Sequence, residues 1–492
     1  MRIDLNLPEA EPRERRLGGI LSFKGKASEL HQKSLGCRMK MQDRTFSQNG
    51  SCSSAQAYVL ISTITDGVVV NHAPIGCSGD FILYNNYGIL GAMRRGLKPE
   101  NTKSISSNIE EKDTIYGGIE KLKKAAREAK NRYNPKAIFV NTSCASGIIG
   151  DDIESVANEL EAELGIPIVS VYCDGFRSKI WSTGFDDVAH GIMRKLVKPP
   201  KKKSTEFVNV FNFQGSHSFD GILGKIGLKP KYLFPFSSVK DLEEMSEAVA
   251  STHICETLGT YIAAALEKEY GVPELKSPVP FGLDWTDEWL RELGRIINKS
   301  ELVEKVIKEE HERIQPKLNN IKNKLSGIRA YILAGDCFAH SLVSVARSLG
   351  VEVIGVTGFH HDQVFDNDYE EANSIGNMCR FTGDVKSYTV SNRQPYQYIH
   401  LLKKFKPDVL ITRHGENSTV GSKLGIPSFI VGDVNIYGAY DGIIEMGNKI
   451  LQTLRMKKFY DNIAKHCELP YTDWWFQQDP FLFEKGERKC TK

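Results

Sequence analysis

Short apolar runs that end abruptly in glycine, serine or a polar loop recur along this chain, and each is followed by a stretch with helical periodicity. Gly67–Val70, Ala137–Val140, Pro167–Val171, Val208–Phe213, Tyr232–Phe236, Ala330–Ala334, Glu352–Val356, Val409–Thr412 and Ser428–Val431 read as strands. Between them lie charged, helix-length segments such as 110–131, a stretch opening near Asp151, and the long run Glu301–Leu325. Continuous apolar strands alternating with helices imply parallel sheets covered on both faces. The expected architecture is α/β, with three Rossmann-like parallel-sheet domains in series. A length of 492 residues exceeds what one hydrophobic core serves and agrees with several domains. The expected boundaries are an N-terminal arm over 1–50, an α/β domain over 51–204, a second over 205–325, and a third over 326–492 that carries a C-terminal extension. The run 195–204, with two prolines and five lysines, marks the first linker.

Ligands of such sheets gather at strand C-terminal ends. Cys77, Cys144, His360, His361 and His414 all fall at predicted strand ends, so a cleft can collect them. The net charge of +3 is close to neutral for this length and calls for neither nucleic acid nor a membrane surface. No apolar run is long enough to span a bilayer, and the acidic N-terminus does not resemble a signal peptide. A cytoplasmic location is therefore expected.

The ten cysteines require their own explanation. A reducing compartment disfavours disulfides, and single cysteines there are mostly small buried hydrophobes. The sequence has no CxxC pair, so zinc-ribbon or ferredoxin sites are not expected. Cys52, Cys77 and Cys144 stand apart because each is set among small residues: Gly50-Ser51-Cys52-Ser53-Ser54, Gly76-Cys77-Ser78-Gly79 and Ser143-Cys144-Ala145-Ser146-Gly147. Such surroundings let backbone approach a bulky inorganic cluster.

The flanking words resemble those of nitrogenase component 1 proteins. They are His72-Ala73-Pro74-Ile75-Gly76-Cys77; Asn134–Val140 followed by Cys144 and Gly147–Ile153; Gly175-Phe176-Arg177; His253-Ile254-Cys255 with Glu269–Pro273; Thr357-Gly358-Phe359; and Gly438–Gly442. The resemblance spans roughly residues 45–455. It implies that Cys52, Cys77 and Cys144 hold one half of a subunit-bridging iron–sulfur cluster (P-cluster-like or 4Fe-4S) shared with a homologous β-like component 1 subunit, in an α2β2 assembly. It implies that Cys255 ligates a larger iron–sulfur active-site cofactor, and that a separate P-loop ATPase iron–sulfur reductase delivers electrons.

Several positions depart from the molybdenum enzyme. The family's histidine ligand aligns with Gly432, a glutamine and a histidine align with Trp181 and Phe185, and a lysine that holds homocitrate aligns with Glu416. The cofactor expected here lacks homocitrate, with its heterometal open. His361, or else His360, Cys337 or His414, can supply a replacement ligand; the alternative is that these histidines are ordinary loop residues. Cys173, Cys379, Cys467 and Cys490 read as structural or surface thiols, and Cys37 has no assigned role. An apolar wall of Trp181 and Phe185 suits a small hydrophobic thioether. The resemblance then points to a catalytic subunit related to methylthio-alkane reductases, which cleave C–S bonds. The alternative is a scaffold on which nitrogenase cofactor is matured. A tetrapyrrole reductase and a true dinitrogen reductase fit less well.

Overall fold

A computed structural model describes residues 3–40, 52–81, 84–211, 217–391, 395–413, 415–432 and 436–481. His414 and Cys490 lie outside the described residues, and the Glu416 side chain is also outside them. Strands follow along the chain as β1 (Ser22–Gly25), β2 (Gly67–His72), β3 (Ser104–Ser106), β4 (Ala137–Thr142), β5 (Ile168–Val171), β6 (Phe207–Phe211), β7 (Lys229–Leu233), β8 (Ala250–His253), β9 (Arg329–Ala334), β10 (Glu352–Gly358), β11 (Tyr388–Ser391), β12 (Val409–Thr412) and β13 (Ser428–Ile430). They form three sheets, ordered β3-β2-β4-β5, β7-β6-β8 and β1-β11-β10-β9-β12-β13. All pairings are parallel except β1 with β11. The fold is mixed α/β built on parallel sheets.

The described chain divides into two compact units. The first holds residues 3–16 and 52–275, with the two smaller sheets; the second holds residues 17–40 and 276–481, with the six-stranded sheet. The N-terminal segment is thus split between them. In the first unit β2 and β4 are buried along their whole length. One face of their sheet packs Val68, Val70, Ile138 and Val140 against Leu122, Ala126, Val156 and Leu160 of helices Ile119–Tyr133 and Ile153–Leu164. Each valine, leucine or isoleucine among them contributes roughly 1.5–3 kcal/mol by leaving water. Helices Ser53–Ile61 and Thr183–Lys195 pack on the other side of the sheet. Gly184 permits their close approach, because a Cβ there would lie 2.1 Å from the Ser53 carbonyl oxygen.

Arg13 and Arg16 of the N-terminal segment are buried on the same helix. Both guanidinium groups pair with the Asp186 carboxylate, and Arg16 also lies 4.7 Å from the Tyr261 ring. A buried carboxylate requires such partners to offset its lost hydration.

In the second unit β1 joins the sheet edge antiparallel to β11, with Phe23 opposite Val390. Helix Asp336–Ser348 packs against β9 and β10. Tyr331, Leu333, Tyr398, Leu402 and Leu410 form a core beside them. No helix among the described residues is long and apolar enough to cross a membrane.

Candidate functional site

The cysteines 52, 77 and 144 stand at the C-terminal end of the four-stranded sheet. β2 and β4 run in register to their last residues, His72 opposite Thr142, so the loops carrying Cys77 and Cys144 leave the sheet side by side. Cys144 is the first residue of helix Cys144–Ile149. Ser143 caps that helix reciprocally with Ser146, and the Ser143 hydroxyl donates to the His72 carbonyl at 2.9 Å. Cys77 lies in the first turn of helix Ile75–Phe81. Cys52 is the N-cap of helix Ser53–Ile61, and the Ser54 hydroxyl two residues on donates to the Thr142 carbonyl at 2.8 Å. All three cysteines therefore sit at or within the first turn of a helix N-terminus.

Gly175 brings two of them together. A Cβ at this position would lie 3.3 Å from Cys144 Sγ, 3.5 Å from Cys52 Sγ and 2.9 Å from Cys52 Cβ. The glycine leaves the space that a side chain would fill. The Ser53 and Ser78 hydroxyl oxygens, each next to a cysteine, are buried without a hydrogen-bond partner among the described residues. Such hydroxyls suit the sulfides of an inorganic cluster. Cys77 and Cys144 are exposed and Cys52 is half-buried. The described residues contain no group of three His, Cys, Asp or Glu side chains placed to hold a single metal ion. Thiolates with neighbouring hydroxyl donors are a donor set that suits an iron–sulfur cluster.

His72 pins this end of the sheet. Its Nε2 bonds Asp151 at 2.9 Å and its Nδ1 bonds Ser107 Oγ at 2.9 Å, and burial lowers its pKa. Asp151 in turn accepts from the Gly118 amide at 3.1 Å. Cys173 is fully buried and donates to Asn141 Oδ1 at 3.0 Å; burial drives its pKa well up, so it stays a thiol. Sequence reasoning treated His72 and Gly175 only as parts of motif words. Their histidine and glycine identities were the available signal, but the partners that reveal their roles lie far away in sequence.

Cys255 is buried and is the N-cap of the 15-residue helix Glu256–Tyr270, two residues beyond β8. Gly259 lets this helix close on the strand end, since a Cβ there would meet His253 Cβ at 2.3 Å. Trp181 and Phe185 are buried and meet edge to face, with ring centroids 5.9 Å apart. Phe185 rides on helix Thr183–Lys195, which packs against the helix that Cys255 starts.

In the second unit the strand ends of β9, β10, β12 and β13 carry Cys337, His360 and His361, Arg413 and Gly432 respectively. His361 has both ring nitrogens engaged: Nδ1 lies 3.0 Å from Asp336 Oδ2 and Nε2 lies 2.7 Å from Ser34 Oγ. Burial opposes charge on both members of the pair, yet their attraction prevails, so the His361 pKa is raised and that of Asp336 lowered. His360 Nε2 faces Asp362 Oδ2 at 3.6 Å. Cys337 is buried in the first turn of helix Asp336–Ser348. Gly432 has φ +146°, and the space where its side chain would begin is taken by Arg413: a Cβ would lie 2.1 Å from Arg413 Nη1. The Arg413 guanidinium also lies 4.8 Å from the Phe338 ring centroid. A buried cation thus stands beside Gly432, which the sequence did not reveal. Cys379 is half-buried, its pKa pushed up to about 11 by burial, and Cys37 is exposed.

Comparison with known proteins identifies relatives of this chain. A nitrogenase molybdenum-iron protein alpha chain from Methanococcus maripaludis is 27% identical over 446 residues, covering 85% of this chain and 89% of the relative. A nitrogenase iron-molybdenum cofactor biosynthesis protein NifE from M. maripaludis is 28% identical over 417 residues, covering 81% of this chain and 82% of the relative. A solved structure of nitrogenase Cp1 at pH 5 superposes with a TM-score of 0.69 at 22% identity, over 88% of this chain and 94% of the other. It has the same fold. The family model for nitrogenase component 1 type oxidoreductases matches residues 52–455, beginning at the first of the three cysteines. The chain belongs to the nitrogenase component 1 type oxidoreductase family.

Proposed function

We propose that this chain is the catalytic, α-like subunit of a nitrogenase-like reductase acting on a substrate other than dinitrogen. The observation that carries the reading is the convergence of Cys52 and Cys144 on Gly175, with exposed Cys77 on the neighbouring strand end. The arrangement leaves an open face for the cysteines of a second, homologous subunit. Exposed apolar side chains occur on the same segments: Ile75 beside Cys77, Ile148 on the Cys144 helix, and Phe176 beside Gly175. Ile115 and Tyr116 are also exposed, on a short helix packed against that of Cys144. Such a patch suits a protein partner.

An iron–sulfur cluster bound by Cys52, Cys77 and Cys144 would relay single electrons, and a larger iron–sulfur cofactor at Cys255 would supply the reducing centre. This chain's own contributions are positional. Helix starts position the three cysteines, Ser53 and Ser78 offer hydroxyl donors, and buried Trp181 and Phe185 keep water from a small apolar substrate. Methylthio-alkanes fit that character: reductive cleavage of the C–S bond consumes two electrons and two protons and releases methanethiol and an alkane. Arg413 beside Gly432 takes the room of a side-chain ligand, and Glu416, which aligns with the family's homocitrate-holding lysine, would repel a polycarboxylate, so this reading uses a cofactor without homocitrate. His361 is a candidate ligand that would first have to release Ser34. The electrons would come from a separate P-loop ATPase iron–sulfur protein, and the assembly would be cytoplasmic.

The test is anaerobic incubation of the purified complex with its reductase, ATP, a chemical reductant and ethyl methyl sulfide. Methanethiol release is expected, and none would overturn the C–S reading. The alternative, a scaffold for cofactor maturation, is favoured by the similarity to a cofactor biosynthesis protein. A scaffold would transfer its cluster to an apo-enzyme and release no methanethiol.

A further inference from the structure

At the opposite end of β2 from the cysteine loops, the first unit contains a cavity of about 350 Å³. Gly67, the first residue of β2, lines it, so the length of the strand, roughly 17–20 Å, separates it from the Cys77 loop. A cavity of this size is at the lower end of the range for small-molecule sites.

Its chemistry is one-sided. Several polar groups in the wall are already committed: the Thr63 hydroxyl donates to the Leu60 carbonyl, that of Thr65 to the Ser237 carbonyl, and Lys103 Nζ to the Thr65 carbonyl. Glu100, the single lining carboxylate, faces Lys103 at 3.6 Å. Asn101 uses its side-chain oxygen to accept from Asn85. What remains is a set of donors: Lys98 Nζ, Asn101 Nδ2 and Ser62 Oγ have no intramolecular partner among the described residues. Unmatched donors with a net positive charge select an acceptor, and the strongest acceptors of small size are oxyanions.

The other wall is apolar and rigid. Ile64, Ala92, Leu97 and Phe236 line it. Phe236 has φ +65° and Phe234 φ +79°, a region that bulky side chains rarely adopt. The conformation is held from several sides. The Phe236 amide donates to the Thr63 carbonyl at 3.0 Å, Arg95 Nη1 donates to the Pro235 carbonyl at 2.8 Å, and the Arg95 guanidinium lies 5.1 Å from the Phe236 ring. Strain of this kind persists where surrounding contacts over-determine it, and it concentrates in ligand clamps.

We propose that this cavity binds a small organic oxyanion, a carboxylate or phosphate ester with a short apolar body. The head faces Lys98, Asn101 and Ser62, and the body lies on Leu97 and Phe236. The site is separate from the cysteine end and does not depend on the reaction assigned to it.

Isothermal titration of the full chain, assembled with its partner subunit, tests this with butyrate, butyl phosphate and neutral butan-1-ol as probes. At least one anion is expected to bind saturably, while butan-1-ol does not; comparing the two anions identifies the preferred head group. Lys98 and Asn101 are exposed, so their substitution leaves the core intact. Lys98→Gln is expected to weaken the bound anion about tenfold, and Asn101→Asp, which adds a like charge, to weaken it further. No saturable binding of either anion, equal binding of butan-1-ol, or affinities unchanged in both variants would overturn the proposal.

Discussion

Two strand-end regions of this molecule contain similar ligand-capable side chains but treat them in opposite ways. In the first unit, Cys52, Cys77 and Cys144 are exposed or half-buried, stand at helix starts, and are flanked by the Ser53 and Ser78 hydroxyls, which have no partner among the described residues. In the second unit, Asp336, His361 and Ser34 are buried, and each has its hydrogen bonds made within the chain. His340 nearby is equally saturated, with Ser374 at 2.8 Å and Tyr388 at 2.7 Å. A polar cluster that satisfies itself stabilises a fold, whereas one left open is completed by something from outside. The accounting of partners separates the two cases.

The sharpest way to break this comparison is to remove a sulfur. Cys144→Ala is expected to abolish most of the iron bound at the three-cysteine site of the assembled complex, as read by metal analysis and visible absorbance. Iron retained at the wild-type level would show that the open region is not a metal site. Asp336→Asn in the closed region should leave that iron unchanged but lower stability by roughly 3–5 kcal/mol, because it removes the charge that pairs with buried His361; chemical denaturation of the full chain measures it.

Gly184→Ala asks whether packing, rather than ligation, sets the cysteine geometry. The new methyl would strike the Ser53 backbone next to Cys52. A loss of about 1–3 kcal/mol is expected, with a partial fall in iron content, and thermal melting reads the first quantity.

The smallest effect is a pH dependence. His190 is buried between Tyr261 and the Leu7 carbonyl, and burial lowers its pKa to about 4. Its folded value lies below its unfolded one, so the unfolded chain binds the extra proton. Stability is therefore lost as pH falls from about 6.5 toward 4, by at most a few kcal/mol. His361 has the reverse sign: its raised pKa contributes stability that is full below about 6.5 and is lost as pH rises through the folded value. Melting temperatures from pH 4 to 8 should show the acid-side slope shrink in His190→Gln and not in His361→Gln.

The chain's pattern already contained most of the strand framework. β12 spans Val409–Thr412 in both the reading and the structure, and β9 differs by one residue. Periodicity was informative there because these strands are buried on both faces. It misled where local geometry intervened. The expected strand Tyr232–Phe236 ends at Leu233, because Phe234 and Phe236 turn to positive φ. The expected helix over 110–131 breaks at Gly117 and Gly118, leaving Ile119–Tyr133 as its main part. β1 was not foreseen, since a four-residue edge strand in a polar segment has no periodic signal and is defined by β11, more than 360 residues away.

Motif words and small-residue neighbourhoods nominate Cys52, Cys77, Cys144 and Cys255 as candidate ligands, because thiolate chemistry and close backbone approach are written in residue type. Tertiary structure alone decided that Gly175 clears the space between two sulfurs, that Arg413 occupies the room beside Gly432, and that both nitrogens of His361 are engaged. The reason is distance along the chain. Whether a polar atom is satisfied depends on partners tens to hundreds of residues away, and only folding determines which of them arrive.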